Sequence, residues 1–198
     1  MTIKKKKNIY PKNILKLIKE KSKGSTGLIR LDVACGDGKQ DDTWVGMDIR
    51  PCKGVDIVHN VEEIPYPLPS NCCQVILAAH IIEHLKPWLI IDIINEWWRL
   101  LDIGGQLWIA LPYAGSFGYF QDPTHLKTWN EATANYFSAK DYLYEVYKPK
   151  PFKIVRNDWQ LNGNLEVVME KLSEEEGKKI YEAMKEIRKA EGVTYGKN

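Results

Sequence analysis

A turn of small residues and an acid that follows it could together bind a ligand. The turn lies in the run Leu31-Asp-Val-Ala-Cys-Gly-Asp-Gly38, and the acid is Asp48 in the run Gly46-Met-Asp-Ile49. Small residues after a strand let the backbone approach a ligand closely, and an acid at the end of the next strand can accept hydrogen bonds from both hydroxyls of a ribose. Together they predict a site for an adenosine-type cofactor.

The spacing of this site disfavours a nicotinamide cofactor. A dinucleotide fingerprint has a third glycine at the start of a longer helix and an acid about 20 residues further along the chain. Here only residues 39–47 separate Gly38 from Asp48.

A second group of residues could bind a metal ion. The run His80-Ile-Ile-Glu-His84 fits the H-x-x-E-H pattern of inverted zinc peptidases, in which two histidines four residues apart on a helix share one metal. The run directly follows a predicted strand, where Glu83 and His84 could instead fix a turn beneath the cofactor. We assign no metal ligand on this basis, and a metal-dependent hydrolase stays open as an alternative function.

The elements that must position these residues follow an α/β pattern, in which short β-rich runs alternate with helical stretches. Strands are predicted at 28–33, 44–48, 56–59, 75–79 and 106–111, with a closing pair at 152–159 and 165–172. Helices are predicted at 88–101 and 173–190. The aromatic segment 113–151 is expected to cover the sheet as a lid.

The chain of 198 residues is long enough for one domain of this type. We divide it into a basic N-terminal tail and short helix at 1–23, a main domain at 24–172, and a charged C-terminal helix and tail at 173–198. Nine lysines and a single acid lie in residues 1–23. This excess weakly favours an anionic partner, although a solvated tail is the simpler interpretation.

Composition indicates a cytoplasmic protein without a membrane anchor. No apolar run approaches the roughly 18 residues of a membrane span, and the first residues lack the features of a secretory signal. The cysteines show no spacing typical of a disulfide framework or a zinc ribbon; they are Cys35, Cys52, Cys72 and Cys73.

An ordered set of segments resembles class I S-adenosylmethionine-dependent methyltransferases. The runs 31–38 and 46–49 resemble the first two motifs of that family, and Asp56-Ile-Val-His-Asn-Val61 resembles the third. The later segments that match are Ala78-Ala-His-Ile-Ile-Glu-His-Leu85, Trp98-Arg-Leu-Leu-Asp-Ile-Gly-Gly105 and Gln121-Asp-Pro-Thr-His-Leu-Lys-Thr-Trp129. The last is similar to the D-P-T-H box of a subgroup of predicted methyltransferases.

The resemblance implies a Rossmann-like fold: a mostly parallel seven-stranded sheet with helices on both faces and a closing antiparallel strand. It also implies S-adenosylmethionine as cofactor, with the methionine part near the first turn, the ribose at Asp48, and the adenine edge at Asn60 and Val61. The full set of residues expected around the cofactor is Asp32, Ala34, Cys35, Gly36, Asp37, Gly38, Asp48, Ile49, Asn60, Val61, Ala79 and His80.

Three features depart from the family pattern. Ala34 replaces the first glycine of the usual motif, and Asn60 stands where an acid is common. The interval 39–43 is too short for the helix that normally connects two parallel strands. We therefore expect a loop at that position and a more open cofactor pocket.

If the acceptor is a hydroxyl, methyl transfer also requires a base that accepts the hydroxyl proton. Histidine titrates near neutral pH, so His125 is the first candidate for this base and His80 the second, with Asp122 able to orient either one. His80, Glu83, His84 and His125 also resemble the E-x-x-E-H plus His metal site of small-RNA 2′-O-methyltransferases, with His80 in place of the first acid. The acceptor, a small molecule or a nucleic acid, is not indicated, and a non-catalytic subunit that binds the cofactor is the alternative.

Overall fold

A computed structural model describes residues 10–22 and 27–192, which form a single seven-stranded sheet with helices packed against it. The strands are β1 (Ile29–Val33), β2 (Trp44–Asp48), β3 (Ile57–Val58), β4 (Cys73–Ala79), β5 (Leu101–Pro112), β6 (Phe152–Trp159) and β7 (Asn164–Lys171). Their order in the sheet is β3-β2-β1-β4-β5-β7-β6. The expected strands are all present, and β5 begins five residues earlier than the predicted start at residue 106.

The sheet is parallel from β3 to β5 and mixed at the other edge. β7 runs antiparallel to both β5 and β6. The reversed strand therefore lies between two others and is not at the edge of the sheet, whereas the resemblance implied a closing antiparallel strand. The chain reaches β7 by a β6–β7 hairpin, and a hairpin necessarily reverses the chain direction.

The described helices are α1 (Lys12–Lys21), α2 (Ile90–Leu100), α3 (Phe117–Phe120), α4 (Tyr144–Tyr147) and α5 (Glu174–Ala190). Short 3₁₀ turns occur at Ile82–His84, Pro87–Leu89 and Thr133–Phe137. α2 contacts β5, and its Ile93, Ile94 and Trp97 lie in the hydrophobic core. No described helix is long and apolar enough to cross a membrane.

The connections between the first four strands are loops. Neither 34–43, between β1 and β2, nor 49–56, between β2 and β3, contains a helix, and 59–72 consists of turns as well. The expected loop at 39–43 is confirmed, and the sheet has fewer crossover helices than the resemblance implied. The loops pack closely, because a Cβ atom on Gly46 would lie 2.5 Å from the carbonyl oxygen of Gly54.

The two terminal helices, α1 and α5, both pack against the domain. Ile14 of α1 is 5% exposed and belongs to the core. α5 begins with a capping box between Ser173 and Glu176, and its Gly177 lies directly against Pro151. Residues 1–9 and the tail 193–198 of the predicted division lie outside the described residues.

The predicted lid, 113–151, is held by aromatic side chains. Trp129 and Phe137 are both 1% exposed and stack with their ring centroids 5.9 Å apart. Phe117 and Phe120, in contrast, are largely exposed. The buried aromatic residues of the lid therefore pack in the core, whereas Phe117 and Phe120 of α3 are accessible.

Candidate active site

The turn after β1 and the acid at the end of β2 form one hydrogen-bonded unit. The amide of Gly36 donates to Oδ2 of Asp48 at 2.9 Å, and the amide of Arg50 donates to Oδ1 at 2.9 Å. Asp48 is 5% exposed. Burial alone would raise the pKa of its carboxyl group, but these two amides and the Arg50 guanidinium lower it overall. Asp48 is thus ionised and joins two loops.

The turn itself needs an unusual backbone. Ala34 has φ of 57° and Gly36 has φ of 58°, both in the left-handed region that favours glycine. Ala34 therefore adopts the conformation for which the family pattern uses glycine. A Cβ atom on Gly38 would meet nothing within 4 Å, so this part of the turn faces open space that a ligand can enter.

Two further predicted residues, Asp32 and Cys35, lie beneath the turn. Oδ2 of Asp32 accepts a hydrogen bond from the amide of Gln40 at 3.2 Å, and burial raises the pKa of Asp32. Burial also raises the pKa of the Cys35 thiol to about 11, and the carboxylates of Asp32 and Asp48 add to that shift. Cys35 is therefore a neutral packing residue.

A cavity of about 480 Å³ opens beside this unit. Five of the predicted cofactor residues line it: Ala34, Asp48, Ile49, Asn60 and Val61. Seven do not: Asp32, Cys35, Gly36, Asp37, Gly38, Ala79 and His80. The sequence missed nine lining residues, which are Met47, Arg50, His59, Glu62, Ile81, His84, Leu85, Lys86 and Leu126.

The far wall of the cavity is fixed by polar contacts. Oδ1 of Asn60 accepts a hydrogen bond from the amide of Glu62 at 3.0 Å. Glu62 also pairs with Lys86 at 2.6 Å, which joins the loop after β3 to the segment after β4. Nε2 of His59 contacts the carbonyl oxygen of Glu63 at 2.7 Å.

His80 follows β4 in a strained conformation, with φ of 53°. Its Nδ1 lies 3.2 Å from Oε1 of Glu83, and its side chain is 53% exposed. The hydrogen bond to Glu83 raises the pKa of His80, although partial burial opposes the shift. Only Ile82–His84 are helical here, as a 3₁₀ turn, so His80 and His84 do not share one helix. The zinc-peptidase interpretation of this run is therefore wrong.

Hydrogen bonds join the predicted box 122–125, and the residue that follows it, to the distant segment 80–84. Oδ1 of Asp122 accepts a hydrogen bond from the Thr124 hydroxyl at 2.7 Å, and that hydroxyl lies 3.1 Å from Nδ1 of His84. The carbonyl oxygen of Glu83 accepts from the amide of Leu126 at 2.7 Å. His125, in turn, is held by the carbonyl oxygen of Tyr119, 2.8 Å from its Nδ1, and only 8% of its side chain is exposed.

Comparison with known proteins shows similarity in fold alone. No protein-family model and no curated protein matches this sequence. A SAM-dependent methyltransferase from Archaeoglobus fulgidus is 20% identical over 86% of this chain and 82% of its own, with a TM-score of 0.50. The 16S rRNA (adenine(1408)-N(1))-methyltransferase of Catenulisporales acidiphilia is 12% identical over 80% of this chain and 91% of its own, with a TM-score of 0.54.

A third similar structure is the 1,6-didemethyltoxoflavin-N1-methyltransferase of Burkholderia thailandensis with bound S-adenosylhomocysteine. It is 14% identical over 73% of this chain and 71% of its own, with a TM-score of 0.52. This chain has the fold of SAM-dependent methyltransferases. The D-P-T-H subgroup stays a prediction.

The cavity lies beyond the carboxyl ends of β1 to β4, where the strand order of this fold predicts a ligand site. Ligands of open α/β sheets bind beyond the carboxyl ends of the strands, at the point where the strand order reverses. Ala34 follows β1, Asp48 ends β2, Asn60 follows β3 and Ile81 follows β4. Of the lining residues that the sequence missed, only Arg50, His59 and Ile81 lie one or two positions after a strand, and this placement was the available signal for them.

Proposed function

We propose that this chain is an S-adenosylmethionine-dependent methyltransferase that binds its cofactor in the 480 Å³ cavity. The observation that carries the proposal is the ionised carboxylate of Asp48, which lines that cavity at the end of β2 beside the small-residue turn. A buried, charged acceptor at this place suits the two hydroxyls of a ribose.

Asp48 has capacity left for a ligand. Each carboxylate oxygen has two lone pairs, and each accepts one backbone amide. The guanidinium of Arg50 approaches Oδ1 at 3.3 Å, but this side chain is 62% exposed and can move away at little cost. We therefore assign the ribose hydroxyls to Asp48.

The other predicted residues divide between the two ends of the cofactor. Ile49, Asn60 and Val61 line the cavity and would meet the adenine. The methionine part would lie along the turn, next to Gly36, Asp37 and Gly38, where the backbone faces open space at Gly38.

When bound, S-adenosylmethionine supplies a methyl carbon on a sulfonium, which an acceptor can take by in-line displacement without an enzyme-bound intermediate. The protein then contributes position and, for a hydroxyl acceptor, a base. His80 is better placed for this base than His125, because its side chain is 53% exposed whereas that of His125 is 8% exposed. Its Nδ1 contacts Glu83, so Nε2 would accept the proton.

The acceptor is either a small molecule or a nucleic acid. Both classes occur among the substrates of the similar structures, which act on an rRNA adenine and on didemethyltoxoflavin. A reducing compartment such as the cytoplasm is part of the proposal, because the cysteines, with Cys72 and Cys73 adjacent, lack the spacing of a disulfide framework.

Calorimetry with S-adenosylhomocysteine tests the proposal directly. One molecule bound per chain, followed by transfer of a labelled methyl group from S-adenosylmethionine to a member of an acceptor panel, is the expected result. Absence of S-adenosylhomocysteine binding would exclude the function. Tight binding without transfer to any acceptor would instead favour a non-catalytic binding subunit.

A further inference from the structure

The cluster of Glu83, His84 and His125 contains a buried acceptor without a partner. One ligand-type atom from each residue lies within 4.8 Å of those of the other two. Glu83 is 0% exposed, and its Oε1 is bound to His80, but its Oε2 has no hydrogen-bond partner among residues 10–22 and 27–192. A buried carboxylate oxygen without a donor is costly, so this atom points to a missing cation or donor.

The hydrogen bond of His125 leaves one ring nitrogen with a free lone pair. Its Nδ1 lies 2.8 Å from the carbonyl oxygen of Tyr119. Because a carbonyl oxygen only accepts, Nδ1 must carry the proton, and Nε2 of the neutral ring has the lone pair. A histidine that binds a metal commonly donates its other nitrogen to a carbonyl in this way.

Hydrogen bonds from Asp122 through Thr124 likewise place the proton of the His84 ring on Nδ1. The Thr124 hydroxyl donates its proton to Asp122, so it accepts from Nδ1 of His84. In the neutral ring of His84, Nε2 then also has a free lone pair. The box 122–125 thus supplies one histidine of the cluster and orients the other.

We propose that Glu83, His84 and His125 bind one divalent transition-metal ion. Two neutral imidazoles and one carboxylate form a donor set that suits Zn²⁺ with at least one open coordination position. The set disfavours soft ions, which prefer sulfur ligands, and ions such as Mg²⁺ and Ca²⁺, which prefer oxygen ligands alone. Ligand atoms around Zn²⁺ are roughly 3.4 Å apart, so small side-chain shifts close the site. His80 is outside this set and contacts it only through Oε1 of Glu83.

The site adjoins the proposed cofactor cavity, because His84 and Leu126 also line that cavity. An open metal position there could bind an oxygen of the acceptor and lower the pKa of its hydroxyl group. This role rests on the proposed function, whereas metal binding itself does not. Binding is therefore tested separately from any transfer reaction.

The test is Zn²⁺ binding by untagged full-length protein after treatment with a chelator. We expect one Zn²⁺ per chain, and a rise in Tm on the order of 5 °C at 100-fold excess over Kd. His84→Ala and His125→Ala should weaken Zn²⁺ binding at least 100-fold. His59→Ala is the matched control, since His59 lies outside the cluster, and it should bind Zn²⁺ like the wild type.

Glu83→Gln keeps the proposal testable should a histidine variant fail to fold. The side-chain oxygen of Gln can still accept the hydrogen bond from His80. Its amide nitrogen takes the place of the unpaired Oε2 and carries no charge. Without metal, this variant should melt at or above the Tm of the wild type; with Zn²⁺, it should lose the increase. Absence of stoichiometric Zn²⁺ binding by the wild type, or equal binding by all the variants, would overturn the metal site. Calorimetry with S-adenosylhomocysteine on the same metal-free wild type tests the proposed function independently.

Discussion

The carboxylate of Asp48 holds the backbone of two loops, one with each oxygen, at Gly36 and Arg50. Any substitution there acts on the loops as well as on a ligand. The sequence pointed to Asp48 through its place at the end of β2, whereas the two amide donors that it holds are set by the folded loops. Stability and binding must therefore be measured together.

For Asp48→Asn we expect S-adenosylhomocysteine to bind about 10- to 100-fold more weakly, which is roughly 1.5–3 kcal/mol. The neutral amide loses the charge-assisted bonds to the ribose and turns a donor toward one of the two amides. Binding is measured by calorimetry and stability by urea unfolding.

Asp56→Asn is the matched control for this variant. Oδ2 of Asp56 accepts from the amide of Gly46 at 2.8 Å and from Lys39 at 2.7 Å, but the residue does not line the cavity. It should lose stability and keep its affinity. Equal losses of affinity in the two variants would contradict the ribose assignment.

Lys171 is a second buried charge, with an effect on stability rather than on binding. It is 2% exposed, donates to the carbonyl oxygen of Leu101 at 2.7 Å, and lies 3.9 Å from the ring of Trp98. Burial lowers its pKa to about 8. The cost of burying the charge is fully present below pH 8 and disappears as pH rises toward the unfolded pKa of about 10.4.

The free energy of unfolding of the wild type, relative to Lys171→Met, should therefore rise by about 3 kcal/mol between pH 7 and pH 10.5. Tyrosines and thiols also titrate in this pH range, but both proteins contain them, so their contributions to the free energy of unfolding cancel in the difference between the wild type and Lys171→Met. Urea unfolding at several pH values measures it. A flat difference between the wild type and Lys171→Met over this pH range would refute the assignment.

Among the elements, the loops in place of crossover helices determine how the site is built. Gly46 on β2 lies under both neighbouring loops: a Cβ atom there would come within 2.5 Å of the Gly54 carbonyl oxygen and 2.8 Å of Sγ of Cys35. Neither loop can shift freely, because Asp48 and Asp56 hold them. The open side of the cavity is thus a consequence of short, tightly packed connections.

Gly46→Ala should destabilise the fold by about 1–3 kcal/mol, because the methyl group collides with backbone that cannot move away. The measurement is urea unfolding, with S-adenosylhomocysteine affinity as a second readout that should also fall. Gly38→Ala is the control, since its methyl group would enter open space and should change stability by less than about 0.5 kcal/mol. Similar stabilities for the two variants would show that the loops are not tightly packed.

Across the whole molecule, local pattern predicted the strands well and long-range contacts poorly. Alternation and turn residues placed all seven strands, including the β6–β7 pair. The Glu83, His84 and His125 cluster joins residues about 40 positions apart, which only a resemblance grouped, and the resemblance also included His80, which contacts the cluster through Oε1 of Glu83. The left-handed backbone of His80, with φ of 53°, is likewise a feature that spacing does not encode.

The lysine-rich N-terminal residues, 1–23, could bind nucleic acid through its phosphates. Removing all of 1–23 would also remove α1, whose Ile14 lies in the core, so that deletion confuses charge with stability. A chain shortened to begin at Tyr10 loses Lys4, Lys5, Lys6 and Lys7 and keeps α1. If these four lysines contact phosphates, binding of a single-stranded RNA should weaken, and the slope of log K against log salt should become shallower by about 3. Fluorescence anisotropy between 50 and 200 mM salt measures this slope, and the same slope in both chains would show that the N-terminus takes no part in RNA binding.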